Sequence, residues 1–355
     1  MKTLYVGIDV GKFQCWIHAF TEKNAMVFSR KVDTLDEEGW QKLFSGWQQK
    51  HEVRACFEVG SHYEWMYDFL HEYCVEVEMI NPAQFALIAR SKIKTDRKDA
   101  QKLAEGIRRG DLPGVYVPKK WVRADRRFIS FIHKHSNRLG SVKTRLRSVL
   151  QTFRMECPYT DILSEKSEKW WKEIWGQFDE GTQMMLEMLL EEGRLLKTQR
   201  AKLDKELPKR LARYDEAGRI VDSIPGFGPL TSLAIISAIV EIGRFPEMRH
   251  LRSYFGTCGS VHQSGNRLHL GSLTKSGNKT VRWLLSQALQ SLHRRDAQAR
   301  RRYQRLKRKK PCGVARGAQV NWLVGLVFHL LKSGENYRVR GVKRSVPVPK
   351  RMKRA

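Results

Sequence analysis

The chain has six cysteines, Cys15, Cys56, Cys74, Cys157, Cys258 and Cys312, and no C-x-x-C pair or Cys/His zinc spacing among them. A disulfide framework and a structural zinc site are therefore not expected, and the thiols read as reduced and buried in a cytoplasmic protein. Long apolar runs are also missing. The most hydrophobic late stretch, Trp322 to Leu331, is too short to span a bilayer, so no membrane partner is expected. The start, Met1-Lys2-Thr3-Leu4, leads directly into a strand without the features of a signal peptide. Acid is scarce as well. Against 66 Lys and Arg stand 37 Asp and Glu, a net charge of +29. A compact fold with that charge repels itself until a polyanion neutralises it, which makes nucleic acid the expected partner.

What is present begins with alternation. Leu4, Val6 and Ile8 alternate with Tyr5, Gly7 and Asp9, the pattern of a strand with one buried face and an acid near its end. Phe13 to Thr21 and Ala25 to Thr34 read as two more strands of a meander, and Leu35 to Lys50 as an amphipathic helix carrying Trp40, Leu43 and Trp47. Val53 to Val59 predicts a fourth strand with Glu58 near its end, Tyr63 to Tyr73 a helix, and Val75 to Ile80 a fifth strand. Asn81-Pro82 then opens a helix and a basic loop. A further helix comes next, capped by Thr95, with Asp96 and Asp99 in its first turn. The order β-β-β-α-β-α-β-α is that of the ribonuclease-H-like fold. On it the first and fourth strands are neighbours, so Asp9 and Glu58 stand together and the later helix brings Asp96 and Asp99 to them. Four converging carboxylates repel unless a hard cation joins them, and oxygen-only ligands point to Mg2+ or Mn2+. Taken singly, each acid has a plainer reading as a helix cap, a solvated strand end or a dipole partner.

Residues 111–120, with Pro113 and Pro118, read as a linker. From Phe128 a heptad runs through Ile132, His135, Leu139, Val142, Leu146, Val149 and Phe153. A second helix, Met184 to Leu207 with Pro208 closing it, completes an antiparallel hairpin expected to join copies of the chain in a homo-oligomer, a dimer or tetramer. Arg138, Lys143, Arg145 and Arg147 on its first helix are candidates for nucleic-acid contact. Ile224-Pro225-Gly226-Phe227-Gly228 resembles the turn of helix-hairpin-helix modules, where glycines bring backbone N–H groups to a phosphate. Beyond it lies a Gly/Ser-rich loop with Ser260, Ser264, Ser272 and Ser276. Lys275, Asn278 and Arg282 at its end can meet a phosphate, as can Lys94 and Arg97 in the first region. The residues alone do not choose among the serines. Arg300 to Lys310 and the tail from Arg338 are basic runs, the tail having eight cations and no acid.

Three blocks in order carry a resemblance that covers nearly the whole chain. They are Tyr5-Val6-Gly7-Ile8-Asp9-Val10-Gly11-Lys12; Asn81-Pro82 with Lys94-Thr95-Asp96-Arg97-Lys98-Asp99-Ala100; and Ile224-Pro225-Gly226 with Gln263-Ser264-Gly265 and Lys275-Ser276-Gly277-Asn278. The chain resembles DEDD transposases of the insertion sequence 110 family. The resemblance implies an α/β ribonuclease-H-like (RuvC-like) domain over 1–115 and a helical coiled-coil insertion over 116–217. A mainly helical C-terminal transposase domain over 218–335 and a basic tail over 336–355 complete it. It implies metal-binding acids at Asp9, Glu58, Asp96 and Asp99, a nucleophilic serine at Ser264, and recombination of donor and target DNA through a phosphoserine link. A structured guide RNA from the element would select the DNA ends, in the cytoplasm and at the nucleoid of a bacterial or archaeal cell. One departure is that Val59-Gly60-Ser61 comes after Glu58 where the family has a small residue, Thr and Gly. Other classes fit less. Gly7-Ile8-Asp9-Val10-Gly11 also opens actin-like ATPases, but a second Asp-x-Gly strand is missing; a metal-only junction nuclease would leave Ser264 incidental; and a non-catalytic binding protein has no use for the four acids.

Overall fold

The computed structural model describes residues 1–60, 62–81, 95–264 and 267–339. The helix expected after Pro82, with Lys94, and the basic tail beyond residue 339 lie outside the described residues. The chain divides into two compact units, Met1–Val117 and Pro118–Ala355.

The first unit is a mixed five-stranded sheet with helices. Strands β1 (Lys2–Asp9), β2 (Gln14–Thr21) and β3 (Met26–Asp33) form the expected meander. After α1 (Glu37–Gln48) come β4 (His51–Glu58), α2 (Tyr63–Tyr73) and β5 (Glu76–Ile80). The spatial order is β3-β2-β1-β4-β5, antiparallel across the meander and parallel from β1 to β4 and β4 to β5. That arrangement is compatible with the ribonuclease-H-like fold. Period-two alternation sorts the faces. Leu4, Val6 and Ile8 are buried in one core with Trp40, Phe44 and Phe69 of α1 and α2, each fully buried side chain contributing about 1.5–3 kcal/mol. The opposite face lies beneath α3 (Asp96–Arg109), which buries Ala100, Leu103, Ala104 and Ile107 against Cys56 and Ile80. Thr95 caps that helix at Lys98 N, 3.3 Å away, and Gly110 ends it in the left-handed region at φ 69°.

The second unit is helical apart from one hairpin of strands. Two 33-residue helices, α4 (Lys120–Thr152) and α6 (Glu180–Ala212), run antiparallel, with α5 (Glu165–Ile174) between them in sequence. Asp125 meets Arg210 at 2.8 Å, His135 Nε2 lies 3.2 Å from Gln199 Oε1, and Arg138 reaches Glu192 at 2.7 Å. The buried stripe is broader than the heptad: Arg123, Asp125, Ile129 and Leu150 join Ile132, His135, Val142 and Leu146. Pro208 does not close α6, which continues to Ala212. The lost N–H and ring clash of an interior proline are offset by burial of Leu207 and Leu211 and by Arg210 and Arg213 on the fully buried Asp125.

The hairpin has two cores. Its tip packs Val142, Leu146 and Leu150 with Ile162, Leu163, Trp171 and Leu186. Its base (Val122, Ile129, Ile132, Leu207, Leu211) shares one core with the C-terminal helices of the unit, so residues 116–217 do not stand apart from them. The remainder of the unit comprises α7 (Asp215–Asp222), α8 (Pro229–Ile239), α9 (Met248–Tyr254), β6 (Gly259–Ser264), β7 (Arg267–Leu273), α10 (Lys279–Arg295), α11 (Ala297–Lys309) and α12 (Cys312–Ser333). The apolar run expected to be short is part of α12, whose 22 residues are long and apolar enough to cross a membrane by length and composition. Its Ala315, Val320, Leu323, Val324 and Val327 are buried within the unit.

Candidate functional site

In the first unit the site is set by strand register. The last parallel pair of β1 and β4 is Ile8 with Phe57, so Asp9 and Glu58 stand one step beyond, at the carboxyl ends of neighbouring strands. Both lie on the α3 side, because the residues two before them touch that helix. A Cβ at Gly7 would fall 2.0 Å from Ala100 O and 2.4 Å from Ala104 N, and Cys56 Sγ donates to Leu103 O at 3.0 Å. Only glycine lets helix and strand backbones meet this closely.

The direction of α3 sets where its acids go. Arg108 covers the ring of Phe20, which pairs with Tyr5, whereas Arg97 acts on His18, which pairs with Gly7. The helix therefore runs against β1 and points its first turn toward the Asp9 end of the sheet. Asp96 precedes Ala100 by four residues and Asp99 precedes Leu103 by four, so both acids continue the stripe that faces the sheet. Asp96 and Arg97 are exposed. Asp99 is largely covered, 17% exposed, with Lys102 Nζ 3.4 Å away. Among the described residues no three acids, histidines or cysteines close into a group that could hold an ion. The carboxylates of Asp9, Glu58, Asp96 and Asp99 offer hard oxygen donors, the kind that Mg2+ and Mn2+ prefer.

An acid that sequence reasoning missed shares this face. Glu78 pairs with Cys56 across β4 and β5, and its Oε2 is buried without a hydrogen-bond partner among the described residues. Burial, and then Glu76, raise its carboxyl above the usual range. Burial pushes the Cys56 thiol far up, with Glu78 adding to it. The signal was the alternation of Glu76 and Glu78 in β5.

In the second unit β6 and β7 pair antiparallel, and Ser264 stands at the tip opposite Arg267 with its side chain exposed. Gly265 and the side chain of His262 lie outside the described residues. The residues expected beside it have structural partners. Asn278 caps α10 by accepting from Val281 N at 3.1 Å. Arg282 donates to Phe255 O at 3.1 Å and to Ser276 O at 3.0 Å, which fixes the loop before α10. Lys275 is exposed, at φ 55°, with its backbone N–H on Gly256 O. The two glycines of the α7–α8 turn differ. Gly226, at φ 93°, packs on α10, where a Cβ would lie 2.5 Å from Ala288 O. Gly228 opens α8 as its cap without a side-chain bond, and a Cβ there would meet open space.

Most cations expected on the outer face of α4 are occupied within the hairpin. Arg138 pairs with Glu192, Lys143 with Asp161 at 2.8 Å, and Arg147 donates to Thr160 O at 2.9 Å.

Comparison with known proteins finds family matches in both units. A family model described as Transposase, of the DEDD type of IS110, matches residues 6–155, and one described as Transposase IS116/IS110/IS902 family matches residues 218–304. A putative transposase of Sinorhizobium fredii is 26% identical over 352 residues, 95% of this chain and 86% of the relative. The transposase for insertion sequence element IS1111A of Coxiella burnetii is 27% identical over 226 residues, 62% of this chain and 60% of the relative. A pilin gene-inverting protein of Moraxella bovis is 24% identical over 296 residues, 79% of this chain and 80% of the relative.

Proposed function

This chain belongs to the IS110 family of transposases, and from that premise we propose that it cuts and rejoins DNA with acids from one unit and a serine from the other. The observation that carries the reading is that Asp9 and Glu58 stand one step beyond the last β1–β4 pair, at adjacent strand ends, on the face toward which α3 points Asp96 and Asp99. Those four residues would hold Mg2+ or Mn2+, which when bound would neutralise charge on the attacked phosphate and the leaving oxygen.

Ser264 is the nucleophile in this reading. Its Oγ bonds to phosphorus, the bond from phosphorus to one sugar oxygen breaks, and the serine proton leaves to a base while the freed oxygen gains one. Attack on the phosphoserine by another DNA hydroxyl reverses the step and rejoins the strands. A serine hydroxyl is a weak nucleophile at neutral pH and needs activation by a base or a metal. The acids of the first unit, through a bound cation, are the activators in this scheme. The net charge of +29 supports a large polyanionic partner, and a structured guide RNA that selects the ends fits that demand. Oligomerisation through the α4–α6 hairpin fits its exposed Met184, Met188 and Leu195. The gene-inverting name of one relative is in keeping with rearrangement of DNA.

The test is trapping on a nicked DNA substrate with the cognate RNA present. Wild type is expected to form a covalent protein–DNA adduct, and Ser264→Ala to bind the substrate without one. Cutting by Ser264→Ala, with free ends and no adduct from either protein, would replace this reading with that of a metal-dependent junction nuclease.

A further inference from the structure

The second unit carries two strongly basic helical surfaces, and they differ in what their charges touch. On the α4–α6 hairpin many of the cations are paired internally. Arg138, Lys143, Arg194, Lys197, Arg200, Lys209, Arg210 and Arg213 each pair with a carboxylate of the hairpin. Helix α11, with the sequence AQARRRYQRLKRK, is the opposite case. It contains no acid, and among the described residues none of its cations has an ion-pair partner. The acid at its start, Asp296, is 2% exposed and already occupied, accepting from Ala299 N at 2.9 Å and from the Tyr337 hydroxyl.

The helix is held so that those charges face outward. Ala299 is buried, Tyr303 and Leu306 are half-buried, and Arg302 lies over the ring of Trp322 at 5.5 Å. Tyr303 also stacks on His293 at 4.7 Å. With this stripe inward, Arg301, Arg305 and Arg308, spaced i, i+4, i+7, form a line down the exposed side, with Arg300, Lys307 and Lys309 beside it. Tyr337 fastens the chain after α12 to two places at once, donating its N–H to Ser223 Oγ at 2.8 Å and its hydroxyl to Asp296. The glycine turn between α7 and α8 and the start of α11 therefore adjoin.

We propose that α11 is a docking face for the phosphate backbone of duplex DNA. The inference rests on the reading that the chain acts on DNA, and it assigns the grip to an element that reading leaves without a role. Six outward cations within four helical turns, with no carboxylate to answer them, repel one another until phosphates neutralise them. A single helix about 10–12 Å across matches the B-DNA major groove of about 12 Å, whereas the deep, narrow major groove of A-form RNA keeps side chains out. Contact through charge alone is independent of base sequence, as a protein that grips unrelated donor and target DNA requires.

The test compares full-length wild type with R301Q/R305Q/R308Q on a random-sequence duplex across a salt series. If three phosphate contacts are lost, the slope of log affinity against log salt becomes shallower by about 2.7, at about 0.9 per contact. R301K/R305K/R308K is expected to keep the wild-type slope. As a second measurement on unmutated protein, duplex DNA is expected to shield Lys307 and Lys309 from acetylation while Lys42 and Lys50 of the first unit stay reactive. An unchanged slope in the glutamine variant, or unshielded Lys307 and Lys309 in a bound complex, overturns the proposal. So does a loss of slope confined to structured RNA, which would assign α11 to RNA instead. If wild type binds no duplex at any salt, the DNA-acting reading itself fails, an outcome distinct from a failure of α11.

Discussion

The acidic end of the first unit and the serine hairpin of the second are built to opposite tolerances. Asp9 and Glu58 sit on β1 and β4, two neighbouring inner strands of a five-stranded sheet, beneath a helix whose backbone leaves no space for a Cβ at Gly7. Ser264 sits at the tip of a two-stranded ribbon, a structure of marginal stability by itself. There a Cβ at Gly271 would crowd only the hydroxyl of Ser260, a side chain free to turn. The contrast teaches where precision is needed. In the proposed reading, ligands that must converge on one point are fixed by backbone against backbone, whereas the nucleophile is carried on a ribbon with few such constraints.

Substitutions at the chemical groups give the largest expected effect and the cleanest contrast. Asp9→Asn or Asp99→Asn is expected to lower DNA cutting at least about a thousandfold with melting temperature and DNA binding retained, as read by gel assay and calorimetry. Normal cutting by either variant would remove the acids from the site. Next comes a matched pair of methyl insertions. Gly7→Ala is expected to destabilise the first unit by about 3 kcal/mol, since two backbone atoms must yield, and to lower cutting with it. Gly271→Ala is expected to cost less than about 1 kcal/mol in denaturant melts. Equal costs at the two positions would erase the difference in tolerance. The mildest effect on cutting belongs to the helix cap. Thr95→Ala is expected to lower stability by about 1 kcal/mol, and to lower cutting more than that loss of folded protein explains, because the cap holds the turn bearing Asp96 and Asp99. A cutting rate that merely tracks the folded fraction would mean the turn needs no such support.

Much of the first unit was legible because its signals are local. Alternation gave β1 and β4, and their parallel neighbourhood came from element order. The Thr95 cap needed only a hydroxyl before a helical stretch. What escaped were matters of partnership. Pro208 reads as a stop until Asp125, 83 positions earlier, is seen holding the turn beyond it. The structural bonds of Arg282 and Asn278 were equally hidden, because a free carbonyl or an uncapped N–H elsewhere in the chain leaves no trace in composition. The cations of α4 and α11 look alike as letters, and only the facing helix distinguishes them. Glu78 was hidden because alternating acids in a short strand read as its solvated face, and only the register with Cys56 places Glu78 beneath the helix.

The hairpin of α4 and α6, with one core at its base and another at its tip, is in kinetic terms two cooperative units on the same pair of helices. The contacts of the tip cluster come from residues 139–196, so it can close early in folding without waiting for the distant contacts to α8, α10 and α12 that complete the base. It can equally open while the base stays shut, so amide hydrogens near Leu146 and Leu186 will exchange through a partial opening of lower energy than global unfolding. A joint between the two clusters therefore lies within helices that look continuous, and the arm can fold and flex in segments without any break in its hydrogen-bonded backbone.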